Sequence, residues 1–139
     1  MLNVSHGKEI VLHVRNDMDV LSEISRLVSE RGVDLQGVSG TVSNDVCTLR
    51  LITNDNLRVC DILHEHAYNP IEESVVLLEV PHKPGMLKKL TCRLGDEDIQ
   101  INSLYATSSM KDSHCLMVLR TSNDVQAMIC LSEFVFEYA

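Results

Sequence analysis

Apolar residues recur along this chain at spacings that spell one run of elements twice. Ile10, Val11, Leu12 and Val14 are matched, 66 residues on, by Val76, Leu77, Leu78 and Val80. Leu21, Ile24 and Val28 are matched by Leu87, Leu90 and Leu94, and Val33 and Leu35 by Ile99 and Ile101. Past that point the second copy is expected to be about three residues longer, so that Thr53-Asn54-Asp55 falls on Ser122-Asn123-Asp124. Few positions are identical. What repeats is the pattern of apolar positions, and a period of this size points to a duplicated structural unit.

Each copy predicts the same elements. Glu9 to Arg15, rich in Ile and Val, reads as a strand. From Asp19 to Arg31, Val20, Leu21, Ile24, Leu27 and Val28 fall on one helix face, with Asp19 as the expected N-cap and Gly32 as the stop. Val33 to Val42 reads as a strand in spite of two glycines. Asn44-Asp45 makes a turn. Val46 to Thr53 is then a strand with Cys47, Leu49 and Leu51 on one side and Val46, Thr48, Arg50 and Ile52 on the other. A helix runs from Asn54-Asp55 to about His66, and a fourth strand must lie between Tyr68 and Glu73. The second copy predicts strands at Ser74 to Val80, Ile99 to Thr107 and His114 to Thr121. Its helices run from Pro84 to about Leu94 and from about Asn123, and a last strand falls near Phe134 to Tyr138.

The order βαββαβ, twice, is that of the ferredoxin-like split βαβ arrangement. The expected fold class is therefore α+β: two tandem ferredoxin-like units, residues 1–73 and 74–139, each an antiparallel sheet with its helices on one face. A unit of about 65 residues has a small core. No Gly/Ser linker separates the two, so rigid association and a homodimer are expected.

Composition narrows the function classes. The 139 residues carry a net charge of −8, which repels phosphate and argues against nucleic acid and anionic membrane as partners. No apolar run approaches the roughly 20 residues of a membrane helix, and the polar stretch Met1 to Lys8 lacks the apolar core of a signal peptide. The five cysteines, Cys47, Cys60, Cys92, Cys115 and Cys130, are widely spaced without a CxxC pair. They read as reduced thiols in a cytoplasmic protein. His64 and His66 point in different directions on a helix, and the other four histidines are scattered, so neither a metal site nor a cofactor is expected. No nucleophile stands with a base and an orienting group, and no Walker-type loop is present; the chain does not read as an enzyme. RNA-binding modules of the same architecture use strand aromatics, whereas this chain has three Tyr, two Phe and no Trp.

The segment Val80-Pro81-His82-Lys83-Pro84-Gly85-Met86-Leu87 carries the most chemistry. It follows a strand and opens a helix. Pro84 suits a first helical turn, and Gly85 lets a ligand approach the backbone. Unpaired N–H groups and the helix dipole there favour a carboxylate. On spacing alone the element reads first as a turn and a helix start.

Within a βαββαβ repeat, however, Lys83-Pro84-Gly85-Met86-Leu87 resembles the ACT domain, and the resemblance runs from about Lys8 to Tyr138. The layout is similar to small proteins made only of two ACT domains, the regulatory module of enzymes such as aspartokinase. The resemblance implies a small-molecule ligand, an amino acid, held at an interface between paired domains. It assigns His82, Lys83, Gly85, Met86 and Leu87 to the ligand. In the first copy Asn16 takes the polar position, Met18 replaces Pro84 and Asp19 replaces Gly85, so Asn16 or Asp17 would meet an ammonium rather than a carboxylate. Asn102 and Ser103, and Gln36 and Ser39 in the first copy, are further polar candidates. The alternative expectation is a subunit that docks on a metabolic enzyme without binding ligand.

Overall fold

The computed structural model describes residues 3–81, 84–108 and 114–138. Ten elements follow one another: β1 (Asn3–Arg15), α1 (Met18–Glu30), β2 (Leu35–Ser43), β3 (Val46–Thr53), α2 (Asn56–Glu65), β4 (Ile71–Pro81), α3 (Met86–Asp96), β5 (Ile101–Ser108), β6 (His114–Thr121) and α4 (Asp124–Tyr138). The chain forms two compact units, Lys8–Glu73 and Ser74–Ala139 together with Met1–Gly7. The fold is the expected α+β arrangement of antiparallel strands and helices in βαββαβ order.

In the Lys8–Glu73 unit β3 lies between β1 and β2, antiparallel to both. The repeat explains the core. Ile10, Leu12 and Val14 of β1 pack with Cys47 and Leu51 of β3 against Ile24 and Val28 of α1 and Val59 and Leu63 of α2. Both helices thus lie on one face of the sheet. In the other unit the positions 66 on do the same: Val76, Leu78 and Val80 of β4 meet Leu90 and Leu94 of α3. Leu131 and Phe134 of α4 complete that core. The alternation expected on β3 holds, with Cys47 and Leu51 buried in the core and Leu49 packed at its edge.

Turn chemistry fixes the β2–β3 hairpin. Asn44 and Asp45 have φ of 51° and 63°, the two positive values of a type I′ turn, whose twist matches that of the flanking strands. Gly32, at φ 68°, ends α1 in the left-handed conformation expected of a glycine stop.

Four expectations are corrected. The N-cap of α1 is Asp17, whose side chain accepts from the Asp19 N–H, and not Asp19 itself. The helix expected from Pro84 begins at Met86, because Gly85 stands at its N-cap with φ 86°. The strand expected near Phe134 to Tyr138 is helix: Ala127, Cys130, Leu131 and Phe134 are all buried at helical spacing, and α4 runs on to Tyr138. The place of that strand is taken by Asn3–Gly7, the first part of β1, which clusters with the second unit. There His6 Nε2 lies 2.7 Å from Ser74 Oγ.

The insertion in the second copy is two residues rather than three. Asn54 Oδ1 accepts from the Asp34 N–H, and Ser122 Oγ from the Gln100 N–H. Thr53 Oγ1 meets Asn56 Oδ1 at 2.6 Å, as Thr121 Oγ1 meets Asp124 Oδ1 at 2.6 Å. Thr53 therefore corresponds to Thr121, 68 residues on.

Candidate functional site

The loop between the first strand and first helix differs between the two copies in length and in its helix cap. In the Lys8–Glu73 unit it is short: β1 ends at Arg15 and α1 begins at Met18. Asp17 fills the helix start with its own carboxylate, accepting from the Asp19 N–H at 2.8 Å and from Arg15 Nη2 at 2.8 Å. The backbone donor, followed by the Arg15 side chain, holds the Asp17 carboxyl below its ordinary range. Asp17 is thus already committed as a cap and ion-pair partner. Asn16 is exposed, and its N–H donates to the Asp45 carbonyl at 2.9 Å.

In the second copy β4 ends at Pro81 and α3 begins only at Met86. His82 and Lys83, both assigned to the ligand on sequence, lie outside the described residues. Pro84 and Gly85 are exposed and form a turn. Gly85 brings no capping atom, whereas Asp17 caps α1, Asp55 Oδ1 accepts from the Arg58 N–H at 3.2 Å for α2, and Asn123 Oδ1 accepts from the Gln126 N–H at 3.1 Å for α4. A Cβ built on Gly85 would meet no heavy atom within 4 Å. The start of α3 therefore combines glycine backbone, open space and donors that no side chain at the N-cap satisfies. These are the conditions for holding a carboxylate.

The remaining assigned residues divide. Leu87 is 48% exposed and stands at the loop. Met86 is buried and belongs to the core with Val80 and Leu90, so its side chain is committed to packing. Asn102 is not brought to the loop. It is the extra residue of a β-bulge between Ile101 and Ser103, and Ile101 pairs with Thr121 while Pro81 pairs with His114. The two positions are separated by most of the length of β6, on the order of 20 Å at strand rise. Ser103 accepts from Arg120 Nε at 2.8 Å. Gln36 occupies the matching bulge in β2, between Leu35 and Gly37. The repeat of the bulge was not legible in the sequence, since its only local sign is Gly37 in one copy. His114 does reach the loop, because it pairs with Pro81 at the end of β4. Sequence reading left it as a strand start; only the hairpin register reveals its place.

Among the described residues no group of three His, Cys, Asp or Glu side chains could hold a metal ion. The five cysteines are free, and Cys92 is exposed. No helix among the described residues is long and apolar enough to cross a membrane.

No family model matches the chain, and no curated protein matches it. Solved structures do. A protein from Bacteroides thetaiotaomicron superposes with a TM-score of 0.86 at 22% identity, covering 94% of this chain and 89% of its own. The ligand-free regulatory subunit of aspartate kinase from Thermus thermophilus superposes with a TM-score of 0.65 at 9% identity, covering 95% of each chain. That from Thermus flavus gives 0.63 at 8% identity, covering 99% of this chain and 94% of its own. At these identities the likeness is one of fold. The tandem ferredoxin-like fold expected from the βαββαβ repeat is the fold that this chain shares with them.

Proposed function

We propose that this chain is a regulatory, non-catalytic protein that senses a small amino acid through the loop between β4 and α3. The observation that supports this reading is the start of α3: Gly85, in a left-handed conformation, stands where the other three helices carry a side-chain cap. An amino-acid carboxylate supplies there what Asp17 supplies to α1. The likeness to regulatory subunits of aspartate kinase favours a regulatory role over a catalytic one. The first-copy loop, with Asp17 already in place, binds weakly or not at all.

The reading includes a homodimer. β2 lies outermost beside β3 in one unit and β5 outermost beside β6 in the other, and neither LQGVSGTVS nor INSLYATS contains a charged residue. Edge strands that must stay alone are usually marked by charge or proline. On β2, Val38 and Val42 are 52% and 56% exposed. An antiparallel pairing of two β2 strands about Gly40 sets Val38 of one copy opposite Val42 of the other. The cytoplasm fits five free cysteines.

A thermal-shift screen of the standard amino acids tests the proposal. A specific ligand raises the melting temperature in proportion to the logarithm of concentration over affinity. If none does, ligand sensing fails. The alternative is then docking on an enzyme, for which Val125 and Ile129, one turn apart on α4 and 71% and 52% exposed, offer an apolar contact.

A further inference from the structure

Each unit is completed by a short segment of its own, Ile71–Glu73 in the Lys8–Glu73 unit and Asn3–Gly7 in the other. Each segment is tied to the start of its unit's second helix. Asn56 Nδ2 donates to the Lys8 carbonyl at 2.9 Å and to Glu72 Oε2 at 3.2 Å. In the other unit Asp124 stands 68 residues on from Asn56, and Ser74 stands 66 on from Lys8. Ser74 Oγ donates to Asp124 Oδ2 at 2.8 Å, and His6 Nε2 lies 2.7 Å from Ser74 Oγ. A serine hydroxyl has one proton. Asp124 takes it, so His6 Nε2 is the donor to Ser74, and His6 holds the place that Glu72 holds in the first unit. The neighbouring position differs as much. Arg50 Nη1 donates to Glu9 and to Glu73. By the same steps Val75 stands for Glu9 and Val118 for Arg50, both fully buried, and Gly7 stands for Glu73. A Cβ on Gly7 would lie 2.7 Å from Leu77 Cδ1 and 3.7 Å from Val75 Cγ2.

We infer that the strand position filled by Asn3–Gly7 is a selective acceptor site: it takes an extended segment carrying His6-Gly7 and rejects one carrying the pair Glu72-Glu73. The two frameworks match, and main-chain bonding in an added strand is indifferent to sequence, so discrimination falls to the side chains. In the place of His6, a glutamate would meet a Ser74 oxygen whose proton is already given away, with the Asp124 carboxylate behind it. In the place of Gly7, a glutamate would push Leu77 aside and find Val118 where Glu73 finds a guanidinium. Both wrong contacts are repulsive or unpaired, and specificity needs only that difference between right and wrong pairings. In the other unit the same two positions are matched to acids, through the Asn56 amide and Arg50. The inference is independent of the loop reading, since it uses no residue of the loop between β4 and α3.

Hydrogen exchange in the full chain, read by mass spectrometry over Asn3–Gly7 with β3 as internal reference, tests the code. His6 is exposed, so its variants leave the core intact. His6→Glu should speed exchange of the segment about tenfold or more, while His6→Gln, which keeps an N–H donor and adds no charge, should stay within about threefold of wild type. Adding Asp124→Asn to His6→Glu should recover most of the protection, because an amide there can donate to a carboxylate as Asn56 does to Glu72. It can also still accept from Thr121, as Asn56 Oδ1 accepts from Thr53. Gly7→Glu should speed exchange more than Gly7→Ala. Wild-type exchange in His6→Glu, equal loss in His6→Gln, or no recovery in the double variant overturns the inference. An equal rise in β3 reports global unfolding in place of strand release and overturns it as well.

Discussion

Gly85 and Gly32 form a matched pair for separating backbone strain from ligand binding. Both are left-handed, with φ of 86° and 68°. Each sits at a helix end, and an added Cβ at either would meet no heavy atom within 4 Å. Alanine at either position should therefore cost the same backbone contribution, about 1–2 kcal/mol for holding an L residue in the left-handed region, with no packing penalty. Valine would add strain of its own, because a β-branched residue is a genuine outlier there. What differs is the surroundings. Gly85 precedes the N–H groups of α3, and the open space on its Cβ side is where a ligand backbone would lie. Gly32 follows the last turn of α1. Urea unfolding should show the two variants destabilised alike. Calorimetric titration, with whichever amino acid raises the wild-type melting temperature, should show at least about tenfold weaker binding for Gly85→Ala, about 1.4 kcal/mol, and unchanged binding for Gly32→Ala. Undiminished affinity in folded Gly85→Ala would refute the site. Equal loss in both variants would refute the claim that the effect at Gly85 is local.

Three further outcomes follow from contacts within single units. Arg50 Nη1 donates to Glu9 Oε1 and to Glu73 Oε2, each at 2.9 Å, and Glu9 is fully buried; Arg50→Met removes the cation from a buried carboxylate and should cost about 3–5 kcal/mol in urea unfolding, and a loss below about 1 kcal/mol would contradict that account. Phe134→Ala should cost about 3–5 kcal/mol, since Phe134 is 1% exposed in the core under α3 and α4; a near-neutral result would mean that α4 does not bury it. The folded pKa of Asp17 is lowered, so its stabilising effect is present above the ordinary carboxylate range and is lost as pH falls through the folded value. Asp17→Asn should therefore lower the melting temperature at neutral pH and flatten its decline in acid, and parallel pH profiles for the two proteins would exclude the carboxylate as the cause.

The elements were legible wherever one local signal acted alone. β3 and β6 occupy Val46–Thr53 and His114–Thr121 as expected, because alternation and turn residues bound each of them. Errors arose where two signals competed. Asp17 and Asp19 both suit an N-cap, and only the hydrogen bond from the Asp19 N–H to Asp17 decides between them. Pro84 favours a helix from its own position, but the left-handed Gly85 interrupts it. Near the C-terminal end, the helical spacing of Cys130, Leu131 and Phe134 outweighed an extended reading of the aromatic residues that follow. No local pattern could show that Asn3–Gly7 would serve the second unit, since that depends on a partner about 70 residues away. The site was legible as a segment but not as a geometry: Asn102 shared its polarity with the loop residues, and the sheet register alone separates them.

The two copies also set two versions of the loop between first strand and first helix on matching βαββα frameworks. The hydrogen bonds at the junction of the third strand and the second helix recur in kind, from Asn54 and Thr53 to Ser122 and Thr121. A difference between the copies at the first loop is therefore not a by-product of a different fold. It consists of a carboxylate present at Asp17 and glycine at Gly85. If the start of α3 attracts a ligand carboxylate, a resident carboxylate there should exclude it. Gly85→Asp and Gly85→Asn test this cleanly, because both side chains tolerate left-handed backbone better than other non-glycine residues and have nearly the same shape. Their steric effect on the ligand should match, leaving charge as the difference. A charge at a helix N-terminus contributes about 0.3–1 kcal/mol at an exposed site, so Gly85→Asp should bind up to about fivefold more weakly than Gly85→Asn at low salt, and the gap should narrow as salt is raised. Equal affinities for the two variants at low salt would mean that no ligand carboxylate sits at this helix start.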